Sequence, residues 1–346
     1  LKFTGGTGDI TFADTAPVFT PGDNFNTVIY TGNGSTQSVT GVGFQPDLVW
    51  TKQRNGTAFH MLIDSVRGNT KEIYSNSTAS EGTSSNTITS FLNDGYSIGS
   101  NGGLNGVNNT YVSWSWKAGG AARNNTDGSI ASLVSANTAA GFSIVSYTGN
   151  GSDGASFGHG LSTNPDLWII KQTSGSQNWL VGSSSLSATD RYLILDSTNS
   201  ELSNAPNIWS VSSSKITFPT SYAGTNNNTS SYIAYAFHSV AGYSKIGSYT
   251  GSGNATGPII TTGFEPAWVM IKSSSNAEPW LIFDSARNTS NPRTCHLRAN
   301  RDIAESCLAS ESVDFNTTNF QIKSSWAGLN TNGGTYIYMA FATNPT

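Results

Sequence analysis

Two phrases carry the chain's most suggestive chemistry, Asp64-Ser65-Val66-Arg67 and Asp284-Ser285-Ala286-Arg287. An aspartate three residues before an arginine can pair with it to hold a strand end, or the two can grip a sugar or a neighbouring surface. Glycoside hydrolysis needs a second carboxylate facing the first across the sugar. No second carboxylate stands at matching sequence positions in every copy, and Ser183 to Leu186 stand where a third Asp–Arg phrase would fall, so no catalytic residue is assigned. The four histidines, His60, His159, His238 and His296, lie in different contexts and give no metal-ligand spacing. A Gly-x-Ser-x-Gly elbow is absent, as are the glycine patterns of phosphate and dinucleotide loops, so no cofactor is expected.

Aromatic rings beside polar loops offer a different chemistry. Trp179, Trp280 and Trp326 adjoin stretches rich in Asn, Gly, Ser and Thr. Indole faces can dock the apolar side of a sugar while short polar side chains take its hydroxyls. These three tryptophans, with Asp64, Arg67, Asp284 and Arg287, are the candidate ligand-binding residues. Their competing role is packing, since tryptophan is also a sandwich-core residue.

Composition narrows the partners. Seventeen Lys and Arg against 21 Asp and Glu leave a net charge of −4, and only 11% of the 346 residues are charged. That excludes a basic nucleic-acid face. Nine Trp, 13 Tyr and 16 Phe exclude a disordered polar tract. No stretch approaches the roughly 20 apolar residues of a membrane helix, so no membrane insertion is expected. Cys295 and Cys307 suggest neither a disulfide framework nor a metal site. The opening Leu-Lys-Phe-Thr-Gly-Gly lacks an initiator Met and an apolar signal core, and reads as part of a longer protein.

The elements that position these residues recur. Tyr30-Thr31-Gly32-Asn33-Gly34 returns as Tyr147 to Gly151 and as Tyr249 to Gly253. After each, a proline opens an apolar run that closes on lysine: Pro46 to Lys52, Pro165 to Lys171, Pro266 to Lys272. Eight residues on stand His60, Trp179 and Trp280. Each copy ends in an alternating strand beginning at Tyr111, Tyr232 or Tyr336. Val112, Trp114 and Trp116 should face a core, with Tyr111, Ser113 and Ser115 on the other side. The repeated lysines should mark where a buried strand regains solvent.

Turn signals between short strands predict an all-β chain of three tandem β-sandwich domains, jelly-roll or lectin-like. Expected limits are 25–118, 142–240 and 245–343. Residues 1–24 read as an extension or the end of a preceding element, and 119–141 as a linker. The long linker should leave the first domain more loosely held than the other two.

Gly43-Phe44-Gln45-Pro46-Asp47-Leu48-Val49-Trp50, Asp64-Ser65-Val66-Arg67-Gly68, the segment Tyr111 to Gly120 and Tyr336-Ile337-Tyr338-Met339-Ala340-Phe341 together resemble a repeat-domain family of tailed-bacteriophage virion proteins of the marine and cyanophage type. The resemblance implies a non-enzymatic virion protein outside the cell, a tail fibre or similar appendage contacting a host-surface glycan. It implies other virion proteins as partners and a homotrimer. The alternatives are a head-decorating or tail-assembly subunit, a polysaccharide depolymerase and a cellular adhesin.

Overall fold

A computed structural model describes residues 20–203 and 207–342. The chain is all-β, with 43% of it in strands and 4% in helices. Every ladder between named strands is antiparallel.

The first unit pairs a six-stranded sheet with a three-stranded one. The large sheet runs Phe25–Thr31, Thr110–Trp116, Leu48–Gln53, Met61–Asp64, Lys71–Tyr74, Gly82–Thr83. The small one runs Gln37–Val39, Gly95–Ile98, Ile88–Leu92. The same order recurs in a second stretch of chain from Phe142–Thr148 to Ser231–Phe237, and in a third from Ser244–Thr250 to Thr335–Ala342. We call these units 1, 2 and 3. Each encloses a private core between its two sheets. In unit 1 that core is Val39, Ile88, Tyr96 and Ile98 against Val49, Met61 and Ile63.

Residues 119–141 are not a linker. Arg123–Asn125 and Ser132–Asn137 add two strands to the edge of unit 2's large sheet, the second pairing with Phe142 to Tyr147 along its whole length. The polar, small-residue composition that suggested a spacer suits an edge strand equally well. Of the N-terminal segment, residues 1–19 lie outside the described residues, and Pro21–Asp23 form a single 3₁₀ turn.

The other face of each large sheet is buried as well. Val112, Trp114 and Trp116 of unit 1, Ile233, Tyr235 and Phe237 of unit 2, and Ile337, Met339 and Phe341 of unit 3 join one central core. Trp116, Phe237 and Phe341 hold the same place in their strands and meet pairwise, with ring centroids 6.4, 5.7 and 6.2 Å apart. The units therefore form a closed ring about shared apolar strands, and unit 1 is held on both sides. Burial on both faces explains the runs of consecutive apolar residues, which alternation alone would not produce.

The recurring Tyr-Thr-Gly-x-Gly phrase is a structural lock. Tyr30, Tyr147 and Tyr249 stack on Tyr111, Tyr232 and Tyr336 at 5.1, 5.0 and 4.8 Å. All six hydroxyls bond to main chain of the one-turn helices Gly102–Asn105, Ala223–Asn226 and Ala327–Asn330 or the residue after each. A Cβ on Gly32, Gly149 or Gly251 would sit 2.2–2.4 Å from a carbonyl oxygen, so only glycine fits. The buried Asn105, Asn226 and Asn330 bond to backbone of the same loops.

Candidate functional site

The candidate residues Asp64, Arg67, Asp284, Arg287, Trp179 and Trp280 are all buried in the seams between units, not displayed to a ligand. At the 1–2 seam, Arg67 Nε bonds to Asp64 Oδ2 at 2.6 Å and its Nη1 to Glu81 at 3.1 Å, while Nη2 donates to the Leu62 carbonyl. Tyr235 of unit 2 donates its hydroxyl to Asp64 Oδ2 at 2.8 Å. The 3–1 seam repeats the device. Arg287 bonds to Asp284 at 2.5 Å, to Glu305 at 2.6 Å and to the Ile282 carbonyl, and Trp114 of unit 1 donates Nε1–H to Asp284 Oδ2 at 3.0 Å. Burial works against the charge of both arginines. Asp64, Tyr235 and Glu81 outweigh it at Arg67, and Asp284 and Glu305 at Arg287, so both pKa values are raised.

The rings eight residues past the lysines reach across the same seams. Trp179 Nε1 of unit 2 donates to the Tyr74 carbonyl of unit 1, and Trp280 Nε1 of unit 3 to the Ile194 carbonyl of unit 2. His60 of unit 1 takes the corresponding place beside the Arg298 backbone of unit 3 and accepts from Trp50 at Nδ1. Burial, then Lys52 and Arg287, push its pKa well below the usual histidine range, so the ring is neutral.

The repeated lysines do not mark a return to solvent. Lys52, Lys171 and Lys272 are fully buried. Lys171 Nζ donates to Thr78 of unit 1 and Lys272 Nζ to Thr198 of unit 2, both at carbonyls, and Lys52 faces Asp302 of unit 3. Burial pushes Lys52 and Lys171 down to about 8 and Lys272 to about 7. A third cyclic set closes the ring through main chain alone: Glu81 N to Thr173 O, Glu201 N to Ser274 O and Glu305 N to Arg54 O, at 2.7–2.8 Å. Lysine can end an apolar strand inside the protein because these carbonyls satisfy its donors.

Trp326 is the one candidate indole that is only half-buried. It precedes the helix Ala327–Asn330, lies against Gly328, and has the Arg298 guanidinium 5.7 Å from its ring centre. Cys295 and Cys307 face each other across a strand pair and form a disulfide. The carboxylate of Glu305 comes close to them but is committed to Arg54 and Arg287.

Two concave surfaces adjoin these seams. At one end of the ring an open depression of about 440 Å³ lies where all three units meet, lined by Phe59, Asn76, Asp196, Asn300 and Asp302 among others. Asn76, Asp196 and Asn300 hold equivalent places, each accepting the backbone N–H of His60, Trp179 or Trp280. Burial raises the pKa of Asp196.

The second is a more enclosed pocket of about 550 Å³ confined to unit 2 and walled by Trp168 and Trp209. Sequence reading missed both tryptophans: Trp168 lies within an apolar run, and Trp209 stands outside the recurring phrases. The available signal was comparative: Val49 and Val269 occupy the place of Trp168 in the other units, and Ile63 and Phe283 that of its cross-strand partner Gly182.

No curated protein and no solved structure matches the chain. Residues 20–345 match the family model described as a domain of unknown function, DUF7483, and the chain belongs to that family.

Proposed function

We propose that this chain is a non-catalytic structural protein of a tailed-phage virion, part of a tail fibre or similar appendage that contacts a host-surface glycan. The observation that carries the reading is the use made of the recurring residues. The repeated tyrosines, glycines, lysines and Asp–Arg pairs hold loops or bind one unit to the next, which is the work of a rigid part. The motif resemblance supplies the virion setting, with other virion proteins as partners. The ring closes within one chain, from unit 3 back to unit 1, and the homotrimer implied by the resemblance would associate three such rings. A cross-strand disulfide suits an extracellular particle.

A head-decorating or tail-assembly subunit is the second reading. It is favoured by Phe59 and Ile303, apolar and exposed at the depression where the units meet. Immunogold electron microscopy of particles of the encoding phage separates the two, with label expected on the tail appendage. Label on the head or along the tail tube selects the second reading, and unlabelled particles overturn both. Asp196→Asn addresses catalysis directly, because asparagine already does the same bonding in units 1 and 3. Cleavage of a polysaccharide by the wild-type chain that this variant abolishes would overturn the non-catalytic reading.

A further inference from the structure

We infer that the unit 2 pocket is a binding site for a small neutral saccharide. The inference deepens the glycan-contact reading and rests on it.

Four departures from the other units shape this pocket, three of them in its lining and the fourth, Gly182, behind the Trp168 indole. Trp168 replaces a valine and Gly182 replaces a large apolar residue. The first change depends on the second, because the indole lies where a Cβ on Gly182 would be, about 2.2 Å from its ring atoms. Ser183 and Leu186 stand in place of the aspartate and arginine that form the buried pair in units 1 and 3. Trp209 packs edge-on to Trp168, with centroids 5.4 Å apart at 84°, and fixes the indole's position.

The lining fits a polyhydroxylated ligand. Trp168 is 5% exposed, and among the described residues its Nε1–H finds no acceptor. Trp116 and Trp268 share that property in the central core, so the cavity, not the orphan donor alone, singles out Trp168. Around the two indoles stand Ser183, Ser184, Thr189 and Asn207, short side chains suited to hydroxyl groups. Arg191 is paired with Asp190 and Glu201, and Asp166 is the lining carboxylate, so among the described residues no uncommitted positive charge faces the pocket, which favours a neutral ligand over an anionic one. Asp166 is held by Ser239 N at 2.7 Å, so its carboxylate is presented in a fixed orientation.

Saturation-transfer NMR with methyl glycosides of the common hexoses and N-acetylhexosamines tests the assignment on the full chain. At least one glycoside should show transfer at millimolar concentration. Trp168→Val combined with Gly182→Ile installs the unit 1 pair at nearly conserved volume and should weaken binding at least tenfold. Ala188→Arg changes only an exposed rim residue, blocks the mouth without touching the core, and should do the same. Binding that survives both variants overturns the pocket assignment while leaving glycan contact standing elsewhere on the surface. Absence of binding by the wild-type chain to the glycosides overturns the pocket, and a blank glycan array alongside it overturns the wider reading too.

Discussion

Where unit 1 meets unit 2, the Asp64 carboxylate takes a hydrogen bond from Tyr235; where unit 3 meets unit 1, Asp284 takes one from Trp114. At the corresponding places of the 2–3 seam stand Ser183 and Met339, and Ser183 turns back to the Asp166 carbonyl of its own unit. Acceptor and donor are present together in two seams and missing together in the third. The aspartate is therefore tied to the donor of the next unit more closely than to any ligand. Its loss in unit 2 is matched by a thioether that needs no partner. Ser183 and Leu186, which replace the ion pair of units 1 and 3, line the unit 2 pocket.

The comparison breaks most visibly at Trp114. Its truncation to alanine removes a buried indole from the central core and the Asp284 donor with it. The expected cost is about 3–5 kcal/mol, read from the shift of the chemical-denaturation midpoint of the whole chain. An unchanged midpoint would contradict the shared core. Tyr235→Phe is gentler, deleting one hydroxyl while Asp64 keeps Arg67. A loss of about 1–2 kcal/mol is expected, and adding Asp64→Ser should show coupling of about 0.5–3 kcal/mol between the two sites. Strict additivity would mean that the seam bond contributes nothing.

A third test is in pH. The unfolded chain keeps its lysine protons up to about pH 10.4, whereas folded Lys272 gives its proton up near 7 and Lys52 and Lys171 near 8. From about pH 7 to 10 the unfolded state therefore binds more protons, and stability rises with pH. Above about pH 10 the buried tyrosines, whose folded pKa values are raised, reverse the trend. Urea midpoints between pH 7 and 10 should trace the rise, and Lys272→Met should reduce its slope by up to about 1.4 kcal/mol per pH unit. A slope that Lys272→Met leaves unchanged would mean that this lysine stays charged in the fold.

The all-β character was legible because turn chemistry and period-two strands are local properties, set by glycine, asparagine and alternating apolar residues. The inward side of Trp114 and Trp116 was legible for the same reason. The identity of their core was not, since alternation says that a face is buried without saying what covers it. Trp179 and Trp280 illustrate the limit. Beside polar loops they looked like sugar platforms, yet each spends its N–H on a carbonyl from a neighbouring unit. The lysines misled similarly, because the carbonyls that satisfy Lys171 and Lys272 come partly from segments more than 70 residues away.

By itself the sequence determined that this protein is built of short antiparallel strands, with turns where glycine and asparagine permit them. The closing of the units into a ring, the placing of the charged motifs in its seams and the aromatic pocket of unit 2 came from tertiary structure. The physical reason is distance along the chain: strand and turn preferences act between near neighbours. Satisfying a buried carboxylate or ammonium depends instead on partners that folding alone brings within reach.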